Sequence, residues 1–99
     1  MTLDDWGYAQ TDPAQQLARL HTFSFMKAYD KGPEKAKVEL IITVREYFTP
    51  EDPAMPFFAR ADKLLNQRTL PYEACGWGKT MLQALSACIR EINRFPYEE

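Results

Sequence analysis

The chain is predicted to fold as one α+β domain, an antiparallel sheet of three to four strands with a C-terminal amphipathic helix packed on one face and a short N-terminal helix. Three observations predict it. Apolar residues recur at three- and four-residue steps near the C-terminus, Val38–Phe48 is rich in β-branched and aromatic residues with every even position from Val38 to Val44 apolar, and Gly32-Pro33 supplies turn chemistry between two strand-like runs. With 99 residues the chain can close one hydrophobic core, so residues 1–99 are read as one domain with 1–10 and 96–99 as tails.

In chain order, Asp12-Pro13 before Ala14–Leu20 reads as a short helix with an acidic cap and a proline at its first position. Thr22–Tyr29 alternates aromatic and smaller residues, and Val38, Leu40, Ile42 and Val44 line one face of the next run while Glu39, Thr43 and Arg45 line the other. Gly32-Pro33 between them predicts a hairpin. Pro50, Pro53 and Pro56 mark a stiff loop. Phe57–Leu65 fits two patterns: Phe57, Phe58, Ala61, Leu64 and Leu65 suit a helix, whereas the position between two strands suits a hairpin arm, which we favour slightly. Tyr72–Trp77 reads as a short strand that delivers the chain to a corner at Gly76 and Gly78. Met81, Leu82, Leu85, Cys88, Ile89, Ile92 and Phe95 then share one helical face, with Thr80 and Gln83 as a capping box and Pro96 as the stop.

Composition narrows function mainly by exclusion. Twelve basic against 14 acidic residues give a net charge of −2, so any electrostatic recognition is local. The start Met1–Asp5 lacks a basic, then apolar, leader and no apolar run reaches the ~18 residues of a membrane span. The expected compartment is the cytoplasm, with no membrane partner. Cys75 and Cys88 lie in apolar runs and read as buried free thiols.

Catalytic chemistry has little to build on, since the single histidine, His21, leaves nucleophile–base pairs to chance and cannot complete a zinc set with two distant cysteines. The corner Gly76-Trp77-Gly78-Lys79-Thr80 invites comparison with a phosphate-binding loop, but that motif needs a glycine where Glu73 stands, and Trp77 occupies the place of wrapping amides. No catalytic residue, metal or cofactor is expected, and the chain is read as not an enzyme.

The order of helix, Gly-Pro hairpin, strand, Gly-x-Gly-x-Thr corner and final helix resembles the double-stranded-RNA-binding domain over Leu17 to Phe95, with an insertion around Pro50 to Leu70. Its motifs also occur in HicB-like antitoxin folds. In the RNA-binding family a Gly-Pro-x-His loop probes the minor groove, and Gly32-Pro33-Glu34-Lys35 stands there with lysine replacing histidine. Gly76, Gly78, Thr80 and Ala84 match the family's corner and a packing alanine, whereas Met81, Leu82 and Leu85 occupy its three lysine positions. The resemblance therefore implies architecture, and the family's phosphate clamp is missing.

The candidate partner-binding residues fall into three groups. Lys27, Lys31, Lys35 and Lys37 cluster around the hairpin turn as a basic finger. Trp6 and Tyr8 are aromatics among acids near the N-terminus, suited to a basic protein surface. Trp77, Lys79, Arg90 and Arg94 mark the corner and the outer side of the last helix. A protein partner is favoured by elimination and by a surplus of aromatics over what one helix and one sheet face bury. The expected function is a small non-catalytic protein-binding module or inhibitor, by analogy of size with antitoxins, immunity proteins and phage-encoded regulators of host defence complexes. The alternative is a nucleic-acid-binding module that uses the basic turn, and a homodimer stays open.

Overall fold

A computed structural model describes Ala9, Asp12 and residues 14–98. Four strands, β1 (Ala18–Lys31), β2 (Glu34–Tyr47), β3 (Phe57–Ala61) and β4 (Cys75–Gly78), form one antiparallel sheet in the order β1-β2-β3-β4, followed by helix α1 (Met81–Arg94). Four strands and one helix among the described residues agree with the α+β expectation, and Phe57–Ala61 takes the strand alternative.

β1 and β2 make a long hairpin in continuous register from Ala18 opposite Tyr47 to Lys31 opposite Glu34. Gly32 closes it with φ 63°, the positive value that a two-residue type II′ loop needs at its first central position. β3 reaches only from Ile42 to Glu46 of β2, so the distal half of the hairpin projects past it and stretches the molecule to 54 × 24 × 20 Å.

One face of the sheet holds the core. Leu40, Ile42 and Val44 of β2 are fully buried with Ala59, Leu65, Ala74 and, from α1, Ala84, Cys88 and Ile92. Thr80 caps α1 by accepting the Gln83 amide at 3.1 Å, and the Gln83 side chain reaches back to accept the Lys79 amide at 2.9 Å. The box thus closes one residue earlier than its usual form, at Lys79 rather than Thr80.

The glycines of the corner act through space, not through turn conformation. A Cβ on Gly76 would stand 2.6 Å from Ala87 Cβ and 2.8 Å from the Ala84 carbonyl, and one on Gly78 would overlap the Ala84 amide nitrogen. Their missing side chains let α1 lie directly on β4.

Two expectations about helical segments need correction. No N-terminal helix forms among the described residues of Asp12–Leu20: Asp12 accepts the Ala14 amide at 2.9 Å and the Gln15 amide on its carbonyl, a single turn, after which Ala18–Leu20 pair with Tyr47–Arg45. A helix this short pays its nucleation cost for few bonds, and the open end of β2 offers a full ladder instead. Leu82, placed on the buried face of α1 by periodicity, is 71% exposed, and the stripe narrows to Ala84, Cys88 and Ile92 flanked by half-buried Met81, Leu85 and Ile89.

The segment read as a C-terminal tail is tied down through Glu98. The Pro96 carbonyl accepts the Asn66 amide at 2.8 Å, Tyr97 packs edge-on against Tyr29 at 4.9 Å, and Glu98 accepts the Arg68 amide at 3.1 Å.

Cys88 donates to the Ala74 carbonyl at 3.5 Å inside the core, and burial pushes its thiol up to about 12. Cys75 is half-buried on the opposite sheet face. With a thiol-exchange reagent at pH 8, Cys88 is expected to react only after denaturant is added. Reaction of Cys88 in the folded protein, read by peptide mass mapping, would contradict this core.

Candidate protein-binding surface

Strand alternation sends every second side chain of the sheet to the face that α1 does not cover. The registers align Leu20, Arg45, Phe58 and Trp77 as one row across all four strands, with Thr22, Thr43, Arg60 and Cys75 as the next. Tyr47 lies beside the first row. Its ring stacks at 6.4 Å on Trp77, which also meets Phe58 at 4.6 Å.

Trp77 is half exposed although it touches two rings, and Leu20, at 59%, is more exposed still. Beyond the rings the loop after β2 rises above the sheet. Gln16, Tyr47, Pro50, Glu51, Asp52, Met55 and Trp77 enclose an open groove of about 560 Å³. Its floor is aromatic, the exposed Met55 forms one wall, and the Glu51 and Asp52 carboxylates give the rim a negative charge. Asp52 also holds the loop in shape, accepting the Ala54 amide at 3.0 Å and, on its carbonyl, the Met55 amide at 2.9 Å.

The hairpin lysines are not brought together. Lys27 and Lys31 fall on the α1 side of the sheet, whereas Lys35, opposite Asp30, and Lys37, opposite Ala28, fall on the open side. The basic finger is thus two pairs facing opposite ways, each interleaved with Asp30, Glu34 or Glu39. Lys27 and Lys31 line a second open cavity of about 650 Å³ with Tyr29, Arg68, Tyr97 and Glu98. Partial burial holds the Lys27 ammonium below its usual range.

Of the other expected residues, Trp77 is in the row and groove, while Lys79 sits at the corner where α1 starts. Arg90 and Arg94 are exposed on α1, where Arg94 lies 3.7 Å from Glu91 and over the Phe95 ring. Trp6 and Tyr8 lie outside the described residues. Sequence reasoning missed Tyr47, Phe58 and Met55. Tyr47 shares the parity of Thr43 and Arg45 and was within reach of the alternation argument, but Phe58 and Met55 required the β2–β3 register and the path of the proline loop.

His21 lies on the α1 side, its Nε2 2.9 Å from Glu46 Oε1. Among the described residues no three His, Cys, Asp or Glu side chains gather as metal ligands would, and no helix is long and apolar enough to cross a membrane. Comparison with protein families, curated proteins and solved structures gave no match to this chain.

Proposed function

We propose that the chain is a non-catalytic protein-binding module, of the inhibitor or antitoxin kind, that takes a partner segment into the groove between Trp77 and the proline loop. The partner segment presents a large apolar side chain next to a lysine or arginine. One observation carries this reading: Trp77 and Met55 stand half exposed across a groove whose rim bears Glu51 and Asp52. An apolar anchor would be desolvated on the aromatic floor, where such contacts contribute most to affinity, and a neighbouring cation would meet the rim carboxylates. Phosphates would be repelled by the same rim.

A second reading, a nucleic-acid-binding module, rests on a different feature from the hairpin lysines. Arg45 and Arg60 stand among Phe58 and Trp77 on the open face, an arrangement on which unpaired bases stack.

Selection from a displayed peptide library separates the two. Enriched peptides are expected to pair an aromatic or long aliphatic residue with Lys or Arg, and to bind at least about tenfold more weakly to Trp77→Ala. Enrichment of acidic peptides, or salt-dependent micromolar binding of single-stranded RNA lost in Arg45→Ala, would overturn the protein-binding reading.

A further inference from the structure

β1 ends the sheet, and among the described residues no strand pairs with its outer edge. Long edges of this kind are templates for further strand pairing unless they are blunted. Short length, proline and bulges do not blunt this one: β1 has 14 residues, no proline, and an unbroken register with β2.

Its side chains point the same way. On the α1 side Phe23 and Phe25 are only half-buried and pack against the margin of the core, while α1 lies over β4, β3 and β2 rather than β1. On the open side Leu20 and Met26 are 59% and 53% exposed. Apolar side chains therefore flank this edge on both faces over Leu20–Ala28.

We infer that a second copy of this chain pairs with that edge, β1 antiparallel to β1 about a two-fold axis at Ser24, to give an eight-stranded sheet. A two-fold axis between antiparallel strands keeps the α1 sides of both copies together, so opposed residues share parity, and three central registers compete. An axis at Phe23 sets Lys27 opposite Arg19, and an axis at Phe25 sets Lys31 opposite Arg19 and Leu20 opposite Asp30. Such like-charge and apolar–acid oppositions are unfavourable. The axis at Ser24 sets no lysine or arginine opposite another, and its one apolar–acid opposition, Ala18 with Asp30, falls at the end of the strand. It sets Phe23 opposite Phe25 twice, so four phenyl rings floor the trough between the two α1 helices, and on the open face it pairs Thr22 with Met26 and Leu20 with Ala28. Lys27 then faces His21 of the other copy, whose imidazole is held by Glu46, so the half-buried ammonium gains a nearby carboxylate.

The register makes the test specific. Sedimentation of the unaltered chain between about 1 and 100 micromolar, the range of an ordinary reversible interface, is expected to show mass rising to that of a dimer. Ser24→Cys, at an exposed position on the axis, is expected to form an intermolecular disulfide under mild oxidation, because directly opposed residues fall within disulfide reach. Phe25→Cys and Met26→Cys are expected not to self-link. Ser24→Glu gathers two new carboxylates beside the two Glu39 side chains, since Ser24 Oγ already donates to Glu39 at 2.6 Å. It is expected to weaken association at least tenfold with unchanged circular dichroism. A chain monomeric throughout the range, or a dimer that links through Met26→Cys or Phe25→Cys and not through Ser24→Cys, overturns the inference.

Discussion

Replacing Gly78 by alanine is expected to destabilise the protein by about 3 kcal/mol or more, a larger loss than a one-carbon change usually brings. The new methyl would overlap the Ala84 amide nitrogen and approach the Thr80 carbonyl at 2.8 Å, and both are backbone atoms where α1 begins. A backbone cannot rotate away as a side chain can, so α1 must lift from β4, and the burial of Ala84 and Cys88 is lost with it. Ile92→Ala removes the largest fully buried side chain of the helix and is expected to cost about 2–5 kcal/mol through the cavity it leaves. Gly32→Ala is the control. Nothing lies within 4 Å of its added methyl, so only the positive φ opposes it, at about 1–2 kcal/mol. Leu82→Ala, at a largely exposed position, is expected to change stability by less than about 0.5 kcal/mol. Urea melts followed by helix ellipticity would rank the four. A Leu82→Ala loss equal to that of Ile92→Ala would mean that α1 is rotated from the orientation described.

Trp77→Ala is expected to weaken partner binding by about 2 kcal/mol, or roughly thirtyfold, while reversing Lys31 or Lys35 to glutamate changes it less than about threefold. The difference follows from placement. Trp77 stands on the open face with Phe58 and Tyr47 beneath and beside it, so its ring presents desolvatable area at little entropic cost. Lys31 and Lys35 lie on opposite faces of the projecting hairpin, and neither lines the groove. A contact made by one lysine pair cannot be shared by the other, and exposed single charges contribute little. Titration of a selected peptide by calorimetry measures both effects. If the lysine reversals instead weaken binding of duplex RNA or DNA and flatten its salt dependence by about one unit each, the protein-binding reading fails.

The sequence carried the elements whose signal is local. Apolar spacing and the Thr80–Gln83 box marked α1 to within a residue or two at each end, the alternation over Val38–Val44 gave the buried face of β2, and Gly32-Pro33 located the hairpin. The same local logic failed at Ala18–Leu20, where a helical pattern met a strand edge, since pairing with Arg45–Tyr47 offered more than one isolated helical turn could. Leu82 failed for a related reason. Periodicity identifies a stripe, but how much of the stripe is covered depends on the width of what packs against it, and glycine-bearing β4 draws α1 in along Ala84 and Cys88.

What the residues determined by themselves was therefore the class of fold, the identity of most strands and the helix, and the glycines on which the helix rests. The tertiary structure alone decided which side chains meet. Register across β2, β3 and β4 assembled Leu20, Arg45, Phe58 and Trp77 from four separate strands into one row, and alternation divided four lysines that are neighbours in sequence between two faces. Sequence proximity is a distance along the chain, whereas a binding surface is a set of side chains on one side of a sheet. In a pleated strand every other neighbour belongs to the opposite side.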